Sequence, residues 1–243
     1  MKTVTLCAAL LTLIPATVST SQAAQADPDK WQFKITPYLW IATIKGNTGS
    51  DGGDIDFDTD YNFFSLDNLD GAFFIAASAS KGRWTWQTDI VYLNFNDNIT
   101  LGPIDTGIDL TGDIIELSAG YKLRSSEHTE ILFGARQVSL DLDINLTPGP
   151  QASGGQTWLD PIVGLRYIRQ LGERWQAIGR LDVGGFGVSS DLTVNVLAGA
   201  NFNMTRHSSL ILGYRYLHLD FAEDDILADL TAKGLALGIE FKF

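Results

Sequence analysis

Length, composition and charge narrow the classes of protein to which this chain can belong. Its 243 residues suit a single domain, and after the N-terminal segment no run approaches the ~18 consecutive apolar residues of a membrane-spanning helix. The net charge of −12 disfavours nucleic acid as a partner. A mean hydropathy of +0.05 agrees with strands that are apolar on one face only.

The N-terminal segment has the features of a signal peptide. Lys2 provides the charged start, residues 4–18 are largely apolar, and an A-x-A cleavage motif ends at Ala26. We therefore predict a signal peptide over residues 1–26, cleaved after Ala26, with Ala23 and Ala24 as alternative cleavage sites, followed by a barrel domain over 27–243. The only cysteine, Cys7, lies in the segment that is removed, so the mature chain is predicted to lack disulfides and thiolate metal sites.

Two-residue alternation of apolar and polar side chains continues from Trp31 to Phe243. It predicts an all-β fold, an antiparallel up-and-down transmembrane β-barrel of about ten strands, with eight or twelve as the alternatives. Each strand is long enough for a tilted membrane crossing, which takes ~9–11 residues. We place the strands at residues 31–46, 70–81, 83–97, 108–124, 129–145, 156–171, 174–188, 190–205, 208–221 and 230–243.

The connections between these strands alternate in length. Short polar turns follow residues 81, 124, 171 and 204, and another short connection lies near 187–191. Longer connections are predicted at 47–69, 97–108, 146–156 and 221–230. Short turns at one end and long loops at the other are typical of outer-membrane barrels. Whether 47–69 forms an extra hairpin is left open.

The two faces of each strand differ in polarity. In the last strand, one face carries Leu235, Leu237, Ile239, Phe241 and Phe243, and the other carries Ala236, Gly238, Glu240 and Lys242. A lipid-facing apolar row opposite a small and charged row is what a barrel wall requires. Pro37 predicts a bulge or kink in the first strand. A change of apolar phase near Gln137 predicts a bulge in the fifth strand.

Aromatic residues fall near both predicted rims of the barrel. Those near the short turns are Trp31, Trp84, Trp86, Tyr121 and Trp175, and those near the long loops are Tyr92, Trp158, Tyr216 and Phe221. Because amphipathic rings prefer the lipid–water interface, we predict that they form two girdles.

Together with Phe243 at the end of the last strand, these features resemble the small outer-membrane barrels of the OmpA and OmpW kind over residues 31–243. The resemblance is one of pattern, and ten strands exceed the number usual in those groups. It implies residence in the outer membrane of a Gram-negative bacterium and contact with lipid and lipopolysaccharide. It also implies that Phe243 is an assembly signal for the barrel-assembly machinery.

Charged residues also fall on the face predicted to line the lumen. They are Lys34, Asp89, Glu116, Lys122, Arg136, Arg166, Arg180, Asp182, Arg215, Glu240 and Lys242. Unpaired charges inside a narrow barrel are costly, so these side chains should pair or meet water. Two interpretations follow: a salt-bridged, largely occluded interior, or a narrow pore whose arginines favour anions.

The predicted outer loops are acidic. The first contains Asp51, Asp54, Asp56, Asp58 and Asp60, and the last contains Asp220, Glu223, Asp224, Asp225 and Asp229. Carboxylates are the ligands that Ca²⁺ and Mg²⁺ prefer. Divalent cations could therefore bridge these loops to lipopolysaccharide phosphates, although the spacing matches a calcium loop only weakly.

Three functional hypotheses follow. The first is a structural barrel that interacts through its surface, and the second is a narrow porin-like channel for small polar or anionic solutes. The third is a hydrolase that uses His218 beside Asp220, but no G-x-S-x-G nucleophile motif accompanies them. We predict no enzymatic activity, no catalytic residue, no resident metal and no cofactor.

Overall fold

The alternating residues fold into one antiparallel sheet that closes into a barrel. The computed structural model describes residues 29–50, 53–57, 69–101, 104–147, 151–223 and 226–243. Its strands are β1 (Gln32–Ser50), β2 (Gly53–Phe57), β3 (Leu69–Lys81), β4 (Trp84–Leu101), β5 (Ile104–Lys122), β6 (Thr129–Thr147), β7 (Gln151–Gln170), β8 (Trp175–Gly185), β9 (Leu192–Asn203), β10 (Ser208–Glu223) and β11 (Ile226–Lys242). Ten of them, β1 and β3–β11, form the wall, and β11 pairs with β1 to close it. The predicted ten-stranded antiparallel barrel is confirmed.

Two predictions concern parts of the chain outside these residues. The signal peptide and its cleavage after Ala26 fall there and stay predictions, as do most acids of the first loop. Within the described residues, no helix is long and apolar enough to cross a bilayer.

The strands end in compact turns at one end of the barrel and extend beyond their predicted bounds at the other. At the short-turn end, compact turns such as that at Gly82 (φ 61°) connect the strands. At the opposite, hairpin end, three predicted long connections are largely strand, since β4 runs to Leu101 and β5 begins at Ile104. In the first connection, β2 forms an extra hairpin with the end of β1.

The outward face is apolar and carries an aromatic girdle at the short-turn end. The Trp31 and Trp86 rings are 5.5 Å apart, and the Trp84 and Tyr121 rings are 4.8 Å apart. At the hairpin end the girdle prediction is wrong for Trp158 and Phe221. These two rings are buried inside the barrel and stack at 4.6 Å, because the lumen is apolar at that height.

The bulge predicted near Gln137 is not found, and near Pro37 the ladder with β11 is interrupted without a change of register. β5 pairs with β6 in one register from Asp105 to Lys122, so the strand does not change phase near Gln137. Val138 is fully buried in the interior, although the sequence pattern placed it on the lipid face. Around Pro37 the β1–β11 register is unchanged, and only the pairs at Thr36 and Pro37 are missing.

β1 pairs with β11 along most of its length, but with β3 only over its first residues. Phe33 and Phe243 exchange both backbone hydrogen bonds, at 3.3 and 2.9 Å, so the terminal residue completes the β1–β11 ladder. Its function as an assembly signal stays a prediction. On the other edge, the β1–β3 ladder ends at the pair Pro37–Ile75. From this pair toward the hairpin end, residues 38–43 of β1 and 69–74 of β3 form no ladder pair with each other. We call this stretch the open seam.

Candidate functional site in the barrel interior

A buried ion-pair network crosses the lumen near mid-height. Arg136 on β6 is fully buried, and its Nη2 lies 2.8 Å from Glu116 Oε2 and 2.5 Å from Asp182 Oδ1. Arg180 contacts the same two carboxylates, with its Nε 2.7 Å from Asp182 Oδ2 and its Nη2 on Glu116 Oε1. Two arginines and two acids on three strands, β5, β6 and β8, thus form a closed ring, in which each charge meets two opposite charges.

A second cluster adjoins this ring. Arg215 Nη1 lies 2.9 Å from Asp89 Oδ2 and donates a hydrogen bond to the Tyr38 hydroxyl at 3.0 Å. Tyr38 in turn donates to Asp89 Oδ1 at 2.7 Å. Asn195 joins the clusters, because its Nδ2 donates to Asp182 at 2.8 Å and its Oδ1 accepts from Arg215 Nε at 3.1 Å.

We call this assembly the charged partition; it consists of Tyr38, Asp89, Glu116, Arg136, Arg180, Asp182, Asn195 and Arg215. Three guanidinium groups face three carboxylates, so its formal charges cancel. Such a network is tolerated in a low-dielectric interior only when each charge is paired and hydrogen-bonded. The geometry meets that condition.

The other charged residues predicted to face inward lie nearer the short-turn end. Arg166 pairs with Glu130 at 3.0 Å, and Lys34 pairs with Glu240 at 3.2 Å. Lys242 also approaches Glu240, at 3.6 Å. The Lys122 carbonyl oxygen accepts hydrogen bonds from the Arg83 guanidinium. None of these residues joins the partition, and the pore-lining function predicted for all of them stays a prediction.

Several interior polar residues were missed by the sequence analysis. Tyr38 and Asn195 complete the partition, and Glu130 holds Arg166. Asp160, which is fully buried, accepts hydrogen bonds from the Ser190 backbone N–H at 2.9 Å and hydroxyl at 2.6 Å. It thereby fixes the short β8–β9 connection against β7. Strand parity could have found Glu130 and Asp160, since each shares the inward parity of an arginine on its own strand.

The lumen changes from charged to apolar in one step at the partition. Moving one inward position toward the hairpin end replaces Asp89 by Val91, Glu116 by Ile114, Arg136 by Val138, and Arg215 by Leu217. Above the step lies an apolar chamber of about 820 Å³, counting its open mouth. Below it lies a polar chamber of about 1120 Å³ on the same measure, lined in part by Lys34, Arg166 and Glu240.

His218 lies on the outward face of β10, as strand alternation requires. Its Nδ1 is 3.1 Å from the Thr231 hydroxyl and 3.5 Å from Asp229 Oδ1. Asp220, the acid expected beside it, pairs directly opposite Asp229 on β11. The arrangement supplies a histidine and acids on the outside of the wall, away from both interior chambers.

Comparisons with known proteins bear on the fold. No family model and no curated protein matches the chain. The outer membrane protease OmpT of Escherichia coli is similar in structure, with a TM-score of 0.54 and 9% identity over 89% of this chain and 97% of that one. Ail of Yersinia pestis has a TM-score of 0.43 and 12% identity, over 88% of this chain and 98% of that one. Neisserial surface protein A has a TM-score of 0.34 and 16% identity, over 87% of this chain and 97% of that one. The chain therefore has the fold of the small Gram-negative outer-membrane barrels, as its sequence pattern predicted.

Proposed function

We propose that this protein is a closed, non-conducting barrel of the outer membrane, with a structural and surface-interaction role. The observation that carries the proposal is the charged partition, which joins strands from all sides of the lumen. Arg136 is inaccessible to solvent and Asp182 is as well, and both form ion pairs between the two chambers. Within the described residues, the Arg136 Nε is the one guanidinium nitrogen of the partition that is buried without a hydrogen-bond partner. A pore that selects anions would instead need arginines that remain open to water.

Electrical recordings test this proposal against the narrow-channel alternative. The folded chain reconstituted in planar bilayers is expected to give no steady unitary currents, because the buried ion pairs of the partition lie between the two chambers. Steady wild-type currents would overturn the proposal if Arg180→Ala or Arg215→Ala altered their size or ion selectivity. Arg206→Ala is the matched control, since it removes the same charge from an exposed turn between β9 and β10.

The surface role is supported by acids on the outward side of the hairpin end. Asp109 and Asp143 lie directly opposite each other on β5 and β6, as do Asp220 and Asp229 on β10 and β11. Carboxylate oxygens are the ligands that Ca²⁺ and Mg²⁺ prefer, so each facing pair offers two ligands to a divalent cation. Within the described residues, no group of three or more histidine, cysteine or acidic residues forms a metal site. Lipopolysaccharide phosphates would therefore supply the remaining ligands of a bridging cation.

Binding of lipopolysaccharide with and without Ca²⁺ tests this surface role. We expect Ca²⁺ to increase retention of lipopolysaccharide by the purified barrel, and chelation to reverse the increase. Asp141→Asn with Asp143→Asn should weaken the Ca²⁺ effect several-fold, because both carboxylates are exposed on β6. Glu173→Gln, an exposed acid at the short-turn end, should leave it unchanged. Calcium-independent binding by all variants would contradict the bridge.

A further inference from the structure

The apolar chamber is built differently from the rest of the lumen. Its walls include Trp40, Phe74, Val91, Val138, Leu217 and Leu219, which are all buried. An interior that only had to fill a narrow barrel could continue the paired charges found below. A concave site lined almost entirely by apolar side chains is instead what small-molecule ligands require.

Trp40 places a polar group at the floor of the chamber. Trp40 lines it, and the Arg215 guanidinium lies 4.8 Å from the centre of its ring. The Trp40 indole N–H is buried and has no hydrogen-bond partner among the described residues. A buried indole normally donates a hydrogen bond, and leaving such a donor unsatisfied is costly. An oxygen atom on a ligand would satisfy it.

The charge of the floor limits the ligand further. Arg215 is already engaged by Asp89, Tyr38 and Asn195, and the partition as a whole is neutral. An anionic head group would therefore bring an unbalanced charge into an apolar site. The chamber suits a neutral molecule.

The open seam lies in the part of the wall that encloses this chamber. Trp40 and Ala42 from β1, and Ala72 and Phe74 from β3, line the chamber on both sides of the seam. The neighbouring β4–β5 ladder, in contrast, is continuous from Trp84 to Leu101. The outward side chains that flank the seam are apolar, including the exposed Leu39 and Phe73. A missing ladder at hydrocarbon depth is unusual in a membrane barrel.

We propose that the apolar chamber binds a neutral alkyl compound with one hydrogen-bond-accepting oxygen, which passes between the membrane and the chamber through the open seam. The alkyl portion contacts the apolar walls, and the oxygen accepts a hydrogen bond from Trp40 Nε1. The charged partition stops the ligand from crossing to the polar chamber. This inference goes beyond the proposed structural and surface role, and it does not depend on cation binding.

Native mass spectrometry of the barrel released from lipid nanodiscs tests the binding site, with 2-decanone and decane as probes. Wild type is expected to retain one 2-decanone. Ala232→Phe, which fills the chamber, should reduce retention at least tenfold, whereas Ala198→Phe on the outward face of β9 should not. Trp40→Phe should weaken retention of 2-decanone about threefold to tenfold and leave retention of decane unchanged. Equal retention by wild type and Ala232→Phe would overturn the site.

A cross-linking experiment tests the route. The pair Leu39→Cys and Phe73→Cys, joined by a short bismaleimide, should slow release of 2-decanone into empty vesicles at least tenfold and leave the equilibrium occupancy unchanged. The same cross-link between Thr88→Cys and Leu117→Cys, which face outward on the intact β4–β5 ladder, should have no effect. If release is equally fast in both, the ligand exchanges through the hairpin end, and the seam is not the route.

Discussion

Replacing Arg136 by alanine is expected to lower the free energy of unfolding by about 3–5 kcal/mol, the usual cost of removing one partner from a buried ion pair. The variant leaves Glu116 and Asp182 in the interior without the guanidinium that lies 2.8 and 2.5 Å from them. Equilibrium unfolding of the lipid-reconstituted barrel in urea, followed by tryptophan fluorescence, measures the loss.

Two further variants separate charge from packing. Combining Arg136→Met and Arg180→Met with Glu116→Gln and Asp182→Asn should recover much of the lost stability, because no uncompensated charge then remains in the ring. Arg206→Ala, in an exposed turn, should change the free energy of unfolding by about 0.5 kcal/mol or less. A loss below about 1 kcal/mol for Arg136→Ala would show that water reaches the ring.

Replacing Phe221 by alanine should cost about 3–5 kcal/mol, as expected for truncating a buried aromatic side chain. Phe221 is only 2% exposed and stacks on Trp158 from across the lumen. The two strands that carry these rings, β7 and β10, are separated by the shorter β8 and β9. The stack therefore holds the wall together above the β8–β9 connection. The same urea titration measures the loss.

Phe241→Ala provides the comparison on the outward face, where the ring is 42% exposed. Lipid can fill the space that this ring leaves, so we expect a loss of about 1 kcal/mol or less. Equal losses for the two variants would contradict the assignment of Phe221 to a packed interior. Phe221→Leu retains most of the buried apolar volume, so its loss of unfolding free energy should lie between those of Phe221→Ala and Phe241→Ala.

The strand positions and most inward charges could be predicted because a barrel wall repeats one simple rule. Each strand must be apolar where it meets lipid, and the two-residue period then fixes the opposite face. The same rule explains why strand ends were misplaced. Beyond the apolar band both faces meet water, so the alternation stops although the backbone pairing continues to residues such as Leu101.

The apolar chamber could not be predicted, because the rule assumes that the inside is polar. The apolar pattern predicts Val138 and Leu140 on the lipid face, with a bulge near Gln137 where the phase changes. The regular register of β5 and β6 places both residues in the lumen instead. Periodicity shows which residues share a face, but it does not show which solvent that face meets.

The composition of the partition was only partly accessible from sequence. Parity put Arg136 and Asp182 on the inner surface, but their contact joins strands 46 residues apart in the chain. The contact between Arg215 and Asp89 spans 126 residues. Such distances across the lumen depend on the radius and tilt of the closed barrel, which a single sequence does not specify.

The unequal strand lengths make the barrel wall taller on one side than on the other. β6 and β7 have 19 and 20 residues, whereas β8 and β9 have 11 and 12. At about 3.3 Å per residue and typical tilt, the wall differs in height by roughly 20 Å between its two flanks. Large molecules that approach the hairpin end therefore meet the tall flank first. Small molecules and neighbouring lipids can still reach the low flank, so steric protection of this surface is one-sided.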